Sequence, residues 1–157
     1  MMLTIATPHD MAALGARLAS QVRAGDLVTL NGELGAGKTT LTRGLGAALE
    51  VRGAVTSPTF VLARTHPRAD GAPPLVHVDA YRLSSAIELD DLDIDFAASI
   101  VVVEWGEGLL DGITDEWLQL DIVRPVGGVV TDDGVEARTV TVTGHGARWA
   151  DLGWLEA

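Results

Sequence analysis

The stretch LVTLNGELGAGKTT, which spans residues 27–40, decides the fold of this chain. Its first four residues form an apolar run that predicts a short strand. Residues 32–39 then match the phosphate-binding pattern G-x-x-x-x-G-K-[ST] at every specified position. A helix is predicted from about Lys38, with a leucine at every fourth position on one face. A strand, a glycine-bearing loop and a helix in this order are the context in which the pattern binds phosphate.

The residue types of the loop explain how it would hold a nucleotide. Gly35 and Gly37 let the backbone turn so that successive N–H groups converge on phosphate oxygens. Lys38 would reach the β- and γ-phosphates, and the hydroxyl of Thr39 would bind Mg²⁺. We therefore expect ATP and Mg²⁺ as ligands. The loop residues expected to contact the nucleotide are Glu33, Leu34, Gly35, Ala36, Gly37, Lys38, Thr39 and Thr40.

A loop of this kind needs a carboxylate partner that holds Mg²⁺, directly or through water, and orders the attacking water. Asp79 follows the segment 75–78, and Glu104 follows the β-branched run 100–103. Both are predicted at the carboxyl ends of strands, where α/β sheets place their ligands. The residues alone leave open which acid orders the water. His77 alternates with apolar residues in the strand before Asp79 and is predicted to be a core histidine.

The rest of the pattern predicts an α/β layer sandwich, a single-domain P-loop NTPase over residues 1–157. Its central sheet is expected to be mainly parallel and flanked by helices, with antiparallel C-terminal strands. The predicted strands are residues 3–6, 27–30, 60–64, 75–79, 99–104, 117–123 and 137–143. The last two alternate between apolar and polar residues, and are predicted to pair through the loop at 127–134.

The helices outside the loop are predicted from their capping residues. Thr7 is expected to cap a helix that begins at Pro8 and ends at Gly25. Gly44 and Gly46, in the helix after the loop, are expected to allow close packing against the sheet. Two shorter helical segments are predicted, within residues 84–95 and 147–155.

The composition excludes several classes of function. Eleven basic residues stand against 22 acidic ones, a net charge of −11. Because nucleic acids are held largely through phosphate contacts from basic residues, a general nucleic-acid surface is not expected, and DNA is not an expected partner. The absence of cysteine excludes disulfides and thiolate metal sites. No apolar run approaches the ~20 residues of a membrane span, and the first residues do not resemble a signal peptide. We expect a cytoplasmic protein without membrane association.

Four motifs together resemble one protein family. They occur in the order GELGAGKTT at 32–40, SPTF at 57–60, HVDAYRL at 77–83 and VEW at 103–105. The same order is found in the TsaE (YjeE) family, the bacterial ATPases of tRNA threonylcarbamoyladenosine biosynthesis. The resemblance extends over roughly residues 5–143. The phosphate loop alone would not distinguish families, whereas the pairing of H-x-D-x-Y-R-L with V-E-W is much more specific.

The resemblance implies a slow Mg²⁺-dependent ATPase that acts with TsaB and TsaD, which transfer a threonylcarbamoyl group to adenosine 37 of tRNA. The tRNA would be contacted through those partners. By matching motifs, Lys38 and Thr39 take the phosphate and Mg²⁺ roles, Glu104 becomes an acid of the Mg²⁺ site, and Asp79 a catalytic acid near it. Thr59 would belong to a switch-like loop.

The resemblance also places the nucleotide base near Pro8 and the C-terminal strands. Val135 stands where some relatives carry a basic residue, and Arg138 is the expected substitute in contacting the base. Arg43 and Arg82 are the only arginines near the motifs, and neither has the placement of an arginine finger. Slow intrinsic turnover follows, because a missing finger costs 10³ or more in rate.

Three alternatives remain open. A P-loop small-molecule kinase usually carries an arginine-bearing lid, which 11 basic residues without an arginine cluster do not favour. A GTP-dependent switch would carry the guanine-selecting pattern N-K-x-D, and this chain has none. The third alternative is an ATP-gated binding switch that does not require hydrolysis, since the residues for binding and for slow hydrolysis overlap.

Overall fold

A computed structural model of the chain describes residues 1–55, 62–81, 83, 88–89, 92–105, 114–124 and 137–156. The strands in this part are β1 (Met2–Ile5), β2 (Leu27–Asn31), β3 (Ala63–His66), β4 (Leu75–Asp79), β5 (Ile100–Glu104), β6 (Trp117–Val123) and β7 (Arg138–His145). The α-helices are α1 (Pro8–Ala19) and α2 (Lys38–Ala48). Single 3₁₀ turns occur at Ala69–Gly71, Ala147–Trp149 and Gly153–Leu155. None of the helices in this part has the length and apolar character needed to cross a membrane.

The strands form one mixed sheet in the order β1-β7-β6-β2-β5-β4-β3. Its centre is parallel, because β2 pairs in parallel with both β5 and β6, and β5 with β4. The C-terminal strands β6 and β7 pair antiparallel, as predicted, and β1 and β3 add antiparallel edges. The predicted α/β fold class is confirmed, and β4 and β6 have the predicted bounds.

Two apolar layers cover the sheet and explain why β2, β4 and β5 are buried along their whole length. One layer lies between the sheet and both α-helices, whose buried side chains share one cluster, including Met11, Leu14 and Leu18 of α1 and Leu41 and Leu45 of α2. The opposite face is covered by a second cluster, in which Leu89 packs with side chains of β4 and β5. Burial on both faces is what the apolar runs of these strands require.

The start of α1 is as predicted, but its end is not. Thr7 caps the helix, since its Oγ1 accepts a hydrogen bond from the Asp10 N–H at 3.1 Å, and Pro8 is the first helical residue. The helix ends at Ala19, where the Ser20 hydroxyl donates to the Arg17 carbonyl at 2.7 Å. The prediction that Gly25 ends the helix is wrong. Gly25, with φ of +92°, belongs to the turn before β2, and its N–H donates to the Ser99 carbonyl.

Gly44 permits close packing against α1 and not against the sheet, which corrects the prediction. A Cβ on Gly44 would lie 2.0 Å from the Ala12 carbonyl oxygen, and one on Gly15 would lie 2.1 Å from the Leu41 carbonyl oxygen. The two helices therefore cross backbone to backbone. Gly46 faces Val55, whose Cγ2 would lie 2.7 Å from a Cβ there. This crossing sets where α2 begins above the sheet, and hence where the loop lies.

The remaining differences concern element ends. Strand β3 begins at Ala63, because Leu62 has a φ of +65° that no strand residue adopts. Strand β7 extends to His145, which pairs with Trp117. The predicted C-terminal helix is two separate 3₁₀ turns. The loop at 127–134 and half of the helical segment predicted within 84–95 lie outside the described residues.

Candidate nucleotide-binding site

The loop between β2 and α2 has the backbone that phosphate binding requires. Gly35 and Gly37 have φ angles of +81° and +117°, in the left-handed region that favours glycine. Gly37 is the N-terminal cap residue of α2 and makes no side-chain capping bond. The first N–H groups of a helix have no partner within the helix, and they carry a partial positive charge. The loop and helix start therefore form a cradle suited to an anion.

Lys38, the first residue of α2, is the only lysine in the chain. It is 6% exposed, and its Nζ donates to the Gly32 carbonyl at 2.6 Å and to the Glu33 carbonyl at 3.0 Å. The ammonium also lies 4.0 Å from the centroid of the Trp105 ring, a cation–π contact. Burial lowers the pKa of Lys38 below that of an ordinary lysine, and the charges of Glu104 and Asp79 oppose this shift. The structure thus holds a largely buried ammonium at the loop, on the side of the two acids.

The two predicted acids lie together at the carboxyl edge of the sheet. Asp79 and Glu104 are the last residues of β4 and β5, and they are direct partners in the parallel register. Both are buried, and Glu104 Oε1 lies 3.4 Å from the Thr39 hydroxyl, which donates to it. Asp79 Oδ1 accepts a hydrogen bond from the Tyr81 N–H at 3.0 Å, which fixes the carboxylate.

The donors at this edge suit Mg²⁺. A hydroxyl and two carboxylates are hard oxygen ligands, the type that Mg²⁺ prefers. Within the part of the chain that the structure describes, no group of three or more histidines, cysteines or acids is placed to hold a metal by itself. Mg²⁺ is usually bound by one or two carboxylates together with substrate phosphates. The residues present therefore fit an ion that arrives with a nucleotide, and Thr39 and Glu104 could serve as its protein ligands.

His77 is a site residue whose contact the sequence did not predict. It is a core histidine, as predicted, but its Nε2 lies 3.2 Å from Glu104 Oε1. The distance is that of a hydrogen bond, whereas neither ring nitrogen makes an aligned hydrogen bond to a described residue. A separation of 3.2 Å between Nε2 and Oε1 puts the two side chains in direct contact. The available signal was strand periodicity, which places His77 on the same face as Asp79.

Two cavities adjoin the loop, one on each side. The larger, of about 300 Å³, is lined by Pro8, Met11, Arg124 and Arg138 with the glycines of the loop. Arg138 Nε donates to the Ala36 carbonyl at 3.2 Å, so this side chain is tied to the loop itself. The smaller, of about 180 Å³, is lined by the catalytic candidates. Gly35, Gly37 and Thr40 line both cavities, so the loop separates a base-sized space from the acidic edge.

The family of the chain follows from comparison with known proteins. The sequence model of the family described as "Threonylcarbamoyl adenosine biosynthesis protein TsaE" matches residues 5–126. The chain belongs to the TsaE family. This confirms the resemblance stated above, and the family is that of tRNA threonylcarbamoyladenosine biosynthesis.

Individual TsaE proteins are similar to this chain over most of its length. The TsaE protein of Streptomyces coelicolor is 62% identical over 143 residues, which cover 89% of this chain and 94% of the relative. That of Bacillus subtilis is 34% identical over 148 residues, covering 92% and 86%. The crystal structure of Bacillus subtilis YdiB superimposes with a TM-score of 0.72 at 30% identity, over 95% of this chain and 88% of that one. The fold described here is therefore shared with a solved structure.

Most site residues predicted for a TsaE protein line one of the two cavities beside the loop. Lys38, Thr39, Asp79 and Glu104 line one cavity, and Pro8 and Arg138 line the other. Leu34 is 88% exposed in the loop. The carbonyl of Glu33 accepts a hydrogen bond from Lys38 Nζ. The sequence did not predict that Met11 and Arg124 line the larger cavity. Met11 belongs to the apolar stripe of α1 and Arg124 follows β6, and neither position carries a nucleotide-binding motif. Arg43 lies away from the acids, and its Nε donates to the Val55 carbonyl. Thr59, Arg82 and Val135 lie outside the described residues.

Proposed function

We propose that this TsaE-family chain is a Mg²⁺-dependent ATPase that supports threonylcarbamoylation of tRNA adenosine 37 together with TsaB and TsaD. The observation that carries the proposal is the pairing of Asp79 with Glu104 in the sheet register, beside Thr39 and Lys38. A loop that only bound an anion would not need two buried acids facing it. Acids at this position are what phosphoryl transfer to water requires.

The loop and the larger cavity would hold the nucleotide. The N–H groups of the loop and of the first turn of α2 would bind phosphate oxygens, and Lys38 would exchange its two carbonyl partners for the β- and γ-phosphates. The base would enter the cavity lined by Pro8, Met11 and Arg138. Thr39 and Glu104 would hold Mg²⁺, which supplies charge neutralisation to the phosphates.

We assign to Asp79 the role of orienting the attacking water and accepting its proton. Its carboxylate is fixed by the Tyr81 N–H through one oxygen, so the other can accept a proton from a water aimed at the γ-phosphorus. That water forms the new P–O bond as the bond to the β-phosphate oxygen breaks, leaving ADP and phosphate. Among the described residues no arginine lies against the acidic edge, since Arg124 and Arg138 line the other cavity. We propose slow turnover by the isolated chain, as the sequence motifs predict.

Partners would carry the tRNA. A net charge of −11 leaves this chain without a general surface for the phosphates of an RNA, so TsaB and TsaD are the expected route of contact. We assign the transfer chemistry to the partners, because the described residues that line the acidic cavity supply phosphate-binding groups and two acids. Hydrolysis would then reset the complex between cycles.

One observation favours a second candidate, an ATP-gated binding switch without required hydrolysis. Leu34 lines the acidic cavity and is 88% exposed, and Tyr81, which packs against Trp105 of that cavity, is 69% exposed, so both side chains are open to contact by a partner. A partner that contacts them would sense the nucleotide directly.

The test is ATP hydrolysis with and without purified TsaB and TsaD, with Lys38→Ala as the control. We expect slow Mg²⁺-dependent hydrolysis that rises with the partners and disappears in Lys38→Ala. Hydrolysis indifferent to the partners would contradict the role in tRNA modification. Full complementation by a Glu104 variant that binds ATP but does not hydrolyse it would favour the switch.

A further inference from the structure

His77 lies at a fully buried position, where packing alone would not require a histidine. Its side chain is completely buried on the helix-facing side of β4, two residues before Asp79. In the parallel register His77 pairs with Val102 and Asp79 pairs with Glu104. Alternation along the strands places His77, Asp79 and Glu104 on one face. The imidazole therefore lies diagonally behind Glu104, on the side away from the loop.

A single carboxylate oxygen connects the histidine to the loop. Glu104 Oε1 lies 3.2 Å from His77 Nε2 and 3.4 Å from the hydroxyl of Thr39. Both neighbours can donate a hydrogen to it, and Thr39 is the residue that a P-loop uses to bind Mg²⁺. If the Thr39 hydroxyl turned to a metal ion, His77 would be the described donor that remains beside Oε1.

Burial makes this contact significant. Neither ring nitrogen of His77 has an aligned hydrogen bond to a described residue. A buried polar group without a partner is costly, so a donor at Nε2 is stabilised by any acceptor within its reach. Glu104 Oε1 is the polar atom to which His77 Nε2 lies within hydrogen-bond distance.

We propose that His77 is a positioning residue, whose Nε2–H donates to Glu104 Oε1 and holds that carboxylate toward the metal side of the phosphate loop. The inference deepens the proposed function and depends on it. Groups that orient metal ligands in this way typically change metal affinity by 10- to 100-fold when removed. A nearby histidine provides a matched control: His66 is also buried, on β3, and it pairs with Leu75.

The experiment measures thermal unfolding of the full chain at constant ATP while Mg²⁺ is titrated, so it does not rely on activity. We expect His77→Leu to need at least about tenfold more Mg²⁺ for the half-maximal rise in Tm. His77→Gln, whose amide nitrogen can take the place of Nε2, should restore most of the affinity. His66→Gln should match the wild type. In steady-state assays at saturating Mg²⁺, the KM for ATP of His77→Leu should stay near that of the wild type.

Each other outcome counts against the inference. A His77→Leu chain that is less stable but has the wild-type Mg²⁺ requirement would make His77 a core residue only. If His77→Leu does not fold, the comparison of His77→Gln with His77→Asn decides, because the asparagine nitrogen reaches the Nδ1 position and not that of Nε2; equal Mg²⁺ requirements would overturn the proposal. A wild-type chain stabilised by ATP without any effect of Mg²⁺ would instead refute the proposed function, and the inference with it.

Discussion

The ammonium of Lys38 lies 4.0 Å from the centre of the indole of Trp105, the residue that directly follows Glu104. Trp105 has a φ of +63°, and a bulky residue in this region is strained. Its ring also packs at 5.3 Å against that of Tyr81, which follows Asp79 by two residues. Strained residues persist where the surroundings determine them, and they often cluster at ligand sites. The indole thus covers the ammonium that we propose binds the phosphates.

We expect Mg·ATP to change the tryptophan fluorescence of the chain, because phosphate binding would draw Lys38 away from the indole. The change should vanish in Trp105→Phe and persist in Trp154→Phe, which removes a tryptophan packed against the helix-side core. A fluorescence titration with ATP measures it. An undiminished change in Trp105→Phe would show that the indole does not report on Lys38.

Glu104→Gln and Asp79→Asn should fail in different ways. Because Glu104 faces Thr39, Glu104→Gln should weaken the Mg²⁺ dependence of ATP binding and reduce kcat by about a hundredfold or more. Asp79→Asn should keep Mg²⁺-dependent binding and lose about 10²- to 10⁴-fold in kcat, as for loss of a general base. Calorimetry with and without Mg²⁺, beside steady-state kinetics, separates the two. Identical profiles for the two variants would contradict the division of roles.

His66 should make the fold less stable at mildly acidic pH. Burial, followed by the nearby charges of His77 and Arg64, lowers the pKa of His66 below its ordinary value. As the pH falls below about 6.5, the unfolded chain takes up a proton that the folded chain accepts only at lower pH. Stability is therefore retained above that pH and lost as the pH falls through the folded pKa.

Urea unfolding at about pH 7.5 and about pH 5.5 measures this effect. The loss between the two pH values should be smaller in His66→Gln than in the wild type. His9→Gln, which removes an exposed histidine at the start of α1, should leave the loss unchanged. Equal losses in wild type and His66→Gln would mean that His66 is protonated equally in both states.

Gly44→Ala should destabilise the fold even though alanine is the better helix former. The propensity gain is about 1 kcal/mol, but the new Cβ would lie 2.0 Å from the Ala12 carbonyl oxygen and would force α1 and α2 apart. We expect a net loss of about 1–3 kcal/mol in the free energy of unfolding. Gly153→Ala is the control. Among the described residues other than its chain neighbours, the one atom within 4 Å of a Cβ at Gly153 is a side-chain oxygen of Asp151, at 3.1 Å, and no backbone atom lies that close. Denaturant melts of both variants give the comparison, and a stabilised Gly44→Ala would contradict the close crossing.

The local parts of the site were determined by the sequence alone. The phosphate loop needs glycines at positive φ, a lysine at the helix start and a hydroxyl next to it, and all of these lie within residues 32–39. Asp79 and Glu104 could be assigned to strand ends because apolar runs precede them. The Thr7 cap and the bounds of β4 and β6 were likewise predicted from neighbouring residues.

Only the tertiary structure decided which of these residues meet. The pairing of Asp79 with Glu104 depends on β4 and β5 being neighbours, and the approach of His77 to Glu104 depends on their register. The role of Gly25 could not be predicted from neighbouring residues. It does not end α1 but lies in the turn before β2, where its N–H donates to the Ser99 carbonyl. Gly44 likewise meets a helix more than thirty residues away in sequence. Periodicity reports which face a side chain occupies, whereas its partner across that face depends on sheet order and helix crossing.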